Sequence, residues 1–119
     1  MPRRRTSAEF LNGVPELVVL KILSRRAMYG YELVQAIREE SAGAFAFGEG
    51  CIYPLLHKLE ERGQLASRRV RVGSRSRVVY RVTETGQKQL ARTTARWHEV
   101  ANGVAEILQG GSYENRGVA

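Results

Sequence analysis

Arginine dominates the stretch from Arg62 to Thr83, which contains no Asp or Glu. Its seven arginines are Arg62, Arg68, Arg69, Arg71, Arg75, Arg77 and Arg81. Phosphate binding needs unpaired cations of this kind, because an arginine already paired with a carboxylate is largely neutralised. The planar guanidinium also donates two parallel hydrogen bonds to phosphate oxygens and can enter a minor groove. The stretch therefore predicts a nucleic-acid contact; the alternative is a solvated basic surface.

The segment 51–62 is predicted to be the helix that contacts bases. Its apolar residues are Ile52, Leu55, Leu56 and Leu59. Their helical spacing indicates one buried stripe, and the opposite face of such a helix fits the major groove. Tyr53 and His57 lie off the stripe and are candidates for base contacts, while Lys58 is placed to reach a phosphate. The alternative is that Tyr53 and His57 pack locally.

A fourth helix, over 84–109, is predicted to mediate dimerisation. Thr83 is a favourable N-cap for it. A heptad-like pattern follows at Leu90, Thr94, Trp97, Ala101, Val104 and Leu108. This alternation of four- and three-residue steps is typical of a seam between two helices. A second copy of the chain is the expected partner, and the alternative is that the helix folds back on its own domain.

Trp97 lies in the middle of this seam. In a symmetric dimer two copies of its indole could approach the axis and hold a flat aromatic ligand between them. The alternative is that Trp97 is simply part of the interface core. A small planar aromatic effector is therefore one of the expected partners.

Cys51 stands at the start of the predicted third helix, beside the basic hairpin. A helix N-terminus and nearby arginines lower the pKa of a thiol, so oxidation of Cys51 could switch DNA binding. The alternative is a small, half-buried residue without redox function.

Catalysis finds no support in the sequence. The chain has two histidines and one cysteine, and it contains no metal-ligand spacing, phosphate-binding loop or nucleophile motif. We expect no enzymatic activity, no cofactor and no metal.

Composition limits the class of protein. The 119 residues suffice for one domain, and 43% of them are hydrophobic. A net charge of +7 favours a polyanionic partner, although a soluble protein can also be basic for other reasons. The arginine-rich N-terminus does not resemble a secretory signal, and no apolar run approaches the ~20 residues of a membrane span. With a single cysteine, these features predict a cytoplasmic protein without a membrane partner.

Three helices are predicted ahead of the arginine-rich stretch, over 14–25, 31–41 and 51–62. Pro15 suits a first helical turn, since its missing N–H costs nothing there. Gly30 is expected to allow a sharp reversal between the first two helices. The spacer Ser41–Gly50 is rich in small residues, and we expect Phe45 and Phe47 to anchor it in the core.

An antiparallel hairpin follows, with strands over 65–72 and 78–82 joined by a turn or longer tip at 73–77. Three helices followed by a hairpin is the order of a winged helix–turn–helix, and the arginine-rich hairpin from Arg68 to Arg81 would be its wing. The predicted fold class is mainly α with a small β-hairpin, extended by the long C-terminal dimerisation helix. The predicted domains are a flexible basic arm at 1–13, the winged helix at 14–83, the dimerisation helix at 84–109 and a disordered tail at 110–119.

Three sequence blocks resemble the PadR family of bacterial transcription regulators: YGYEL at 29–33, IYPLLHKLEERG at 52–63 and YRVTETG at 80–86. The resemblance runs from about residue 14 to 108, and the single C-terminal helix is similar to the smaller PadR subfamily. It implies a homodimer on an inverted-repeat operator, usually acting as a repressor. It also implies an effector near the dimer interface in some members, often a phenolic acid or another planar compound.

The sequence departs from the family pattern at three places. Cys51 stands where the family commonly has Thr or Ser, a residue able to cap the helix or touch phosphate. The pair of aromatics in the second wing strand is reduced to Val79-Tyr80. The Ser41–Gly50 spacer contains no recognisable ligand-binding box.

These observations predict a ligand-responsive, homodimeric repressor. The predicted DNA-binding residues are Tyr29, Tyr53, Pro54, His57, Lys58, Arg69, Arg71, Arg75 and Arg77. The predicted dimerisation residues are Leu90, Trp97, Ala101, Val104 and Leu108. The alternative is a protein-interaction adaptor that reuses the winged-helix fold without effector sensing.

Overall fold

The computed structural model describes residues 13–110. Apart from Gly13 and Gly110, the predicted arm and tail lie outside this range. The elements are α1 (Val14–Arg25), β1 (Met28–Tyr29), α2 (Gly30–Glu40), α3 (Glu49–Glu61), β2 (Leu65–Val72), β3 (Arg75–Val82) and α4 (Glu84–Leu108). The prediction of a mainly helical winged-helix fold with a long C-terminal helix is confirmed, and α1 and β2 have the predicted bounds.

The core lies between the first three helices and the base of the sheet. The apolar stripe predicted for α3 is buried, with Ile52 and Leu56 fully inaccessible. It packs in one cluster with Val19 and Leu20 of α1. Phe47 is buried and stacks on the half-buried Phe45, with the ring centroids 5.4 Å apart. The expected anchoring of the spacer is therefore confirmed.

The sheet is antiparallel and has the order β1-β3-β2. The sequence predicts a tip at 73–77, but β3 already begins at Arg75, which pairs with Val72. The turn is only Gly73-Ser74, because the positive φ of 64° at Gly73 permits a tight two-residue hairpin. Arg75 and Arg77 thus stand on a strand rather than in a loose tip.

The two-residue strand β1 is absent from the sequence prediction, which treats this segment as a plain connection. Met28 pairs with Tyr80 and Tyr29 with Val79. Two residues are too few to show a period-two pattern, so no local signal marks this strand. Its effect is to attach the start of α2 directly to the edge of the wing.

Gly30 has a different role from the predicted one. Its backbone is helical, as the first residue of α2, and it does not have a positive φ. Space is the reason for glycine, because a Cβ there would lie 2.3 Å from Cε1 of Tyr53. Any side chain at position 30 would therefore require the Tyr53 ring to move.

A single residue, Thr83, connects the wing to α4. Its hydroxyl accepts a hydrogen bond from the Gly86 N–H at 3.1 Å, as an N-cap does, and donates one to the Gly63 carbonyl at 2.5 Å. The predicted cap is confirmed. The same hydroxyl also links the end of α3 to the start of α4.

No helix in the described part of the chain is long and apolar enough to cross a membrane.

Candidate nucleic-acid interface

The pairing of β2 with β3 divides the wing arginines between two faces, since residues directly opposite in an antiparallel pair share a face. Arg69 lies opposite Val78 and Arg71 opposite Ser76, on the inner face, which continues to the buried Leu65 and Tyr80. The opposite, outer face of the wing carries Arg68, Arg75, Arg77 and Arg81. The predicted DNA-binding arginines thus lie on both sides of one ribbon.

None of the seven arginines forms a salt bridge with another residue between 13 and 110. Six are exposed, and Arg77 is half-buried. Arg69 donates a hydrogen bond to the Ser76 hydroxyl at 3.3 Å, which orients it without neutralising its charge. The charge of the wing is thus available to a polyanion, as the sequence pattern predicts.

Arg77 is held by an aromatic ring. Its guanidinium carbon lies 4.3 Å from the centroid of the Tyr29 ring. Tyr29 pairs with Val79, so the diagonal neighbour Arg77 is on its face of the sheet. The structure thus brings together Tyr29 and Arg77, two of the residues predicted from sequence to bind DNA.

The other candidates for DNA contact lie on the outward side of α3 and differ in exposure and in pairing. Pro54 and His57 are exposed, while Tyr53 is half-buried against Gly30. The ammonium of Lys58 lies 3.6 Å from the Glu16 carboxylate of α1, so in the free protein Lys58 is already paired. Glu16 is the residue that sequence reasoning missed here, because no local pattern links α1 to α3.

A groove of about 330 Å³ lies between the start of α2, the outward side of α3 and strand β3. We call it the wing groove. Its lining is Tyr29, Gly30, Tyr31, Tyr53, His57, Ser76, Arg77, Val78 and Tyr80. Burial raises the pKa of Tyr80, with smaller contributions from Glu60 and Tyr53, so this phenol is neutral. Tyr31 is half exposed and was not among the predicted site residues, although the YGYEL block contains it.

The environment of Cys51 argues against an activated thiol and fits the alternative of a small, half-buried residue. Burial raises the pKa of Cys51, and the nearby charge of Glu16 raises it further. The helix begins at Glu49, so Cys51 lies in its first turn, but the N-terminal position does not offset the effect of burial. The carboxylate of Glu16, rather than an arginine, provides the dominant nearby charge.

The predicted dimerisation residues are divided along α4. Leu90 is buried in the domain's own core, whereas Trp97 is 45% exposed and Leu108 80% exposed. Val100, Val104 and Ile107 are also exposed, so an apolar stripe runs along the second half of the helix. A second apolar surface, a groove of about 360 Å³, lies between α1, the end of α2 and Thr94 of α4.

The described residues contain no cluster of three or more His, Cys, Asp or Glu able to hold a metal ion. The fold combines a three-helix core, a helix with an exposed polar face, and a basic antiparallel hairpin. These features define the winged helix–turn–helix class.

The chain belongs to the PadR-like family of transcriptional regulators, whose pattern it matches over residues 19–92. This confirms the resemblance seen in the sequence. The family consists of transcriptional regulators and not of enzymes.

Individual relatives agree with this assignment. The chain is 34% identical over 102 residues to the transcriptional regulator YqjI of Escherichia coli, covering 84% of this chain and only 43% of that protein. A PadR family regulator from Eggerthella lenta has 34% identity and a TM-score of 0.73, over 84% of this chain and 86% of that one. Bacillus subtilis PadR, solved in complex with operator DNA, has 24% identity and a TM-score of 0.65, over 69% and 46% of the two chains.

Proposed function

We propose that this protein is a sequence-specific, homodimeric repressor that binds an inverted-repeat operator. The observation that carries the proposal is the set of wing arginines that have no carboxylate partner among residues 13–110 and lie beside the exposed side of α3. The fold is also that of a Bacillus subtilis protein solved on operator DNA. Phosphate contacts from the wing would supply affinity, and α3 would supply sequence choice.

Within this proposal, α3 enters the major groove with His57 and Pro54 foremost, because both are exposed. Tyr53 contributes the part of its ring that is not packed on Gly30. Lys58 reaches a phosphate only after leaving Glu16, so its contribution to affinity is reduced by the loss of that ion pair. The arginines 75 and 77 contact the backbone from one face of the wing, and Arg69 and Arg71 from the other.

Selection from a randomised duplex library with the purified chain tests this proposal. We expect enrichment of two inverted half-sites whose centres are separated by about one or two helical turns, as a two-fold symmetric dimer requires. Enrichment of a single half-site would contradict the inverted-repeat operator. Recovery of no sequence, with no salt-sensitive binding, would favour the protein-interaction adaptor instead.

The exposed half of α4 is proposed to form the dimer. Its apolar stripe from Trp97 to Leu108 is unlike an ordinary solvated helix face, since it includes five large exposed apolar side chains. Contiguous exposed apolar surface of this kind marks an interaction site more often than a solvated face. A second copy of the chain supplies one with matching symmetry.

Trp97→Arg is expected to dissociate this dimer, because it places a charge in the centre of the stripe. Sedimentation velocity at micromolar protein should show a shift from dimer to monomer. Glu99→Arg is the matched control, since it introduces the same residue about 200° around the helix at another exposed position. It should remain dimeric. A dimer that survives Trp97→Arg would remove α4 from the proposed interface.

A planar aromatic effector is proposed to bind at the dimer interface beside Trp97. The support is chemical: the indole is 45% exposed, and stacking on it would cover apolar ring surface. Binding there would alter the spacing of the two α3 helices and thereby weaken binding to the operator.

A further inference from the structure

We propose that Tyr29 is a positioning residue for DNA binding. Its ring orients the Arg77 guanidinium in the wing groove so that the guanidinium can bind a backbone phosphate of duplex DNA. The inference rests on the proposed function and adds to it a specific phosphate site and the residue that prepares it. Tyr29 would act through Arg77 and not by its own contact with DNA.

Arg77 differs from the other wing arginines in packing against an aromatic ring. It is half-buried, whereas the other five arginines of β2 and β3 are exposed. Its guanidinium carbon lies 4.3 Å from the Tyr29 ring centroid, within the range of a cation–π contact. A long arginine side chain loses considerable rotamer freedom when it binds a phosphate. For Arg77, part of that loss occurs before DNA arrives.

The type of contact leaves the donors of Arg77 available. A carboxylate partner would occupy the N–H groups at the edge of the guanidinium and cancel its charge. An aromatic ring carries no charge to cancel that of the guanidinium and offers no strong acceptor for its N–H groups. Arg77 has no carboxylate partner within the described part of the chain. It is therefore oriented without being neutralised.

The surroundings of Arg77 favour an anion. Within the described part of the chain, no Asp or Glu lines the wing groove, which instead presents hydroxyl and imidazole groups, including those of Tyr31, His57 and Ser76. The first residues of α2, Gly30 and Tyr31, also line it, and the positive end of a helix dipole attracts negative charge. The groove lies between α3 and the wing, where a DNA backbone must pass if α3 enters the major groove.

A double-mutant cycle on Tyr29 and Arg77 tests the inference. The probe is a random-sequence duplex of about 30 base pairs, titrated by fluorescence anisotropy between about 50 and 200 mM KCl. Such a probe reports backbone contacts and needs no known operator. Tyr29→Leu should weaken binding about two- to fivefold, the range of an exposed cation–π contact. It should leave the salt slope unchanged, because no charge is lost.

The companion variants separate positioning from other roles. Arg77→Ala should weaken binding further and lower the salt slope by about one. In the Arg77→Ala background, Tyr29→Leu should have almost no additional effect. Tyr29→Phe should bind like the unmodified protein, because it keeps the ring. Side-chain NMR of the free protein should show ring-current-shifted Arg77 protons that lose this shift in Tyr29→Leu.

Several outcomes would overturn the inference. A full effect of Tyr29→Leu in the Arg77→Ala background would mean that the two residues act independently. Binding by Tyr29→Phe that is as weak as that of Tyr29→Leu would assign a direct contact to the hydroxyl. If Arg77→Ala weakens binding and Tyr29→Leu does not, the positioning role is wrong while the proposed function stands. Unmodified protein that shows no salt-dependent binding would overturn both.

Discussion

The double variant Arg75→Ala/Arg77→Ala is expected to flatten the dependence of DNA affinity on salt. Both arginines lie on the outer face of β3, and neither has a carboxylate partner among the described residues. Each phosphate contact releases counterions when it forms, so each one lost reduces the slope of log affinity against log salt by about one. A decrease of about two is expected when both contacts disappear.

The matched control for this prediction is Arg92→Ala/Arg96→Ala. It removes the same charge from two exposed arginines of α4, so it reproduces the change in net charge without touching the wing. The measurement is a titration of a labelled duplex at several salt concentrations. An equal change of slope in both double variants would mean that overall charge, rather than the wing, drives binding.

The second large effect is expected from Gly86→Ala, which should strongly destabilise the domain. A Cβ at this position would lie 2.1 Å from the carbonyl oxygen of Gln64. That oxygen is backbone and also accepts a hydrogen bond from the Thr83 N–H at 3.1 Å, so it cannot move aside freely. Overpacking against a fixed group costs about 3 kcal/mol, which corresponds to a fall in Tm of roughly 15 °C for a domain of this size.

Gly103→Ala is the matched control for this stability prediction because it lies in the same helix. A Cβ there would meet nothing within 4 Å. Alanine has the higher helix propensity, so this variant should be about 0.5–1 kcal/mol more stable. Thermal unfolding followed by circular dichroism at one fixed protein concentration measures both. Equal stability of the two variants would contradict the close packing of Gly86 against the Gln64 backbone.

Elements that depend on local interactions could be predicted from the sequence, whereas those that depend on contacts between distant residues could not. The bounds of α1 and β2 were predictable because apolar periodicity and alternation are local signals. The N-cap at Thr83 was predictable for the same reason. Strand β1 was not, since Met28 and Tyr29 acquire strand geometry only by pairing with β3.

The residues of the candidate site could be predicted from the sequence, but their positions relative to one another could be predicted only in part. The wing arginines are evident from the sequence, and the face that each occupies follows once the register of β2 and β3 is known. The pairing of Lys58 with Glu16 and the raised pKa of Cys51 depend on contact between α1 and α3. Residues so far apart in sequence leave no local trace of such a contact.

The junction at Thr83 constrains how this protein can change over evolutionary time. No loop separates β3 from α4, and the Thr83 hydroxyl bonds to both Gly63 and Gly86. One added residue would turn the whole of α4 by about 100° about its axis, and the stripe around Trp97 would then point elsewhere. The length of this junction is therefore fixed. Insertions and deletions in homologous chains should therefore accumulate at the hairpin turn or in the 41–50 spacer instead.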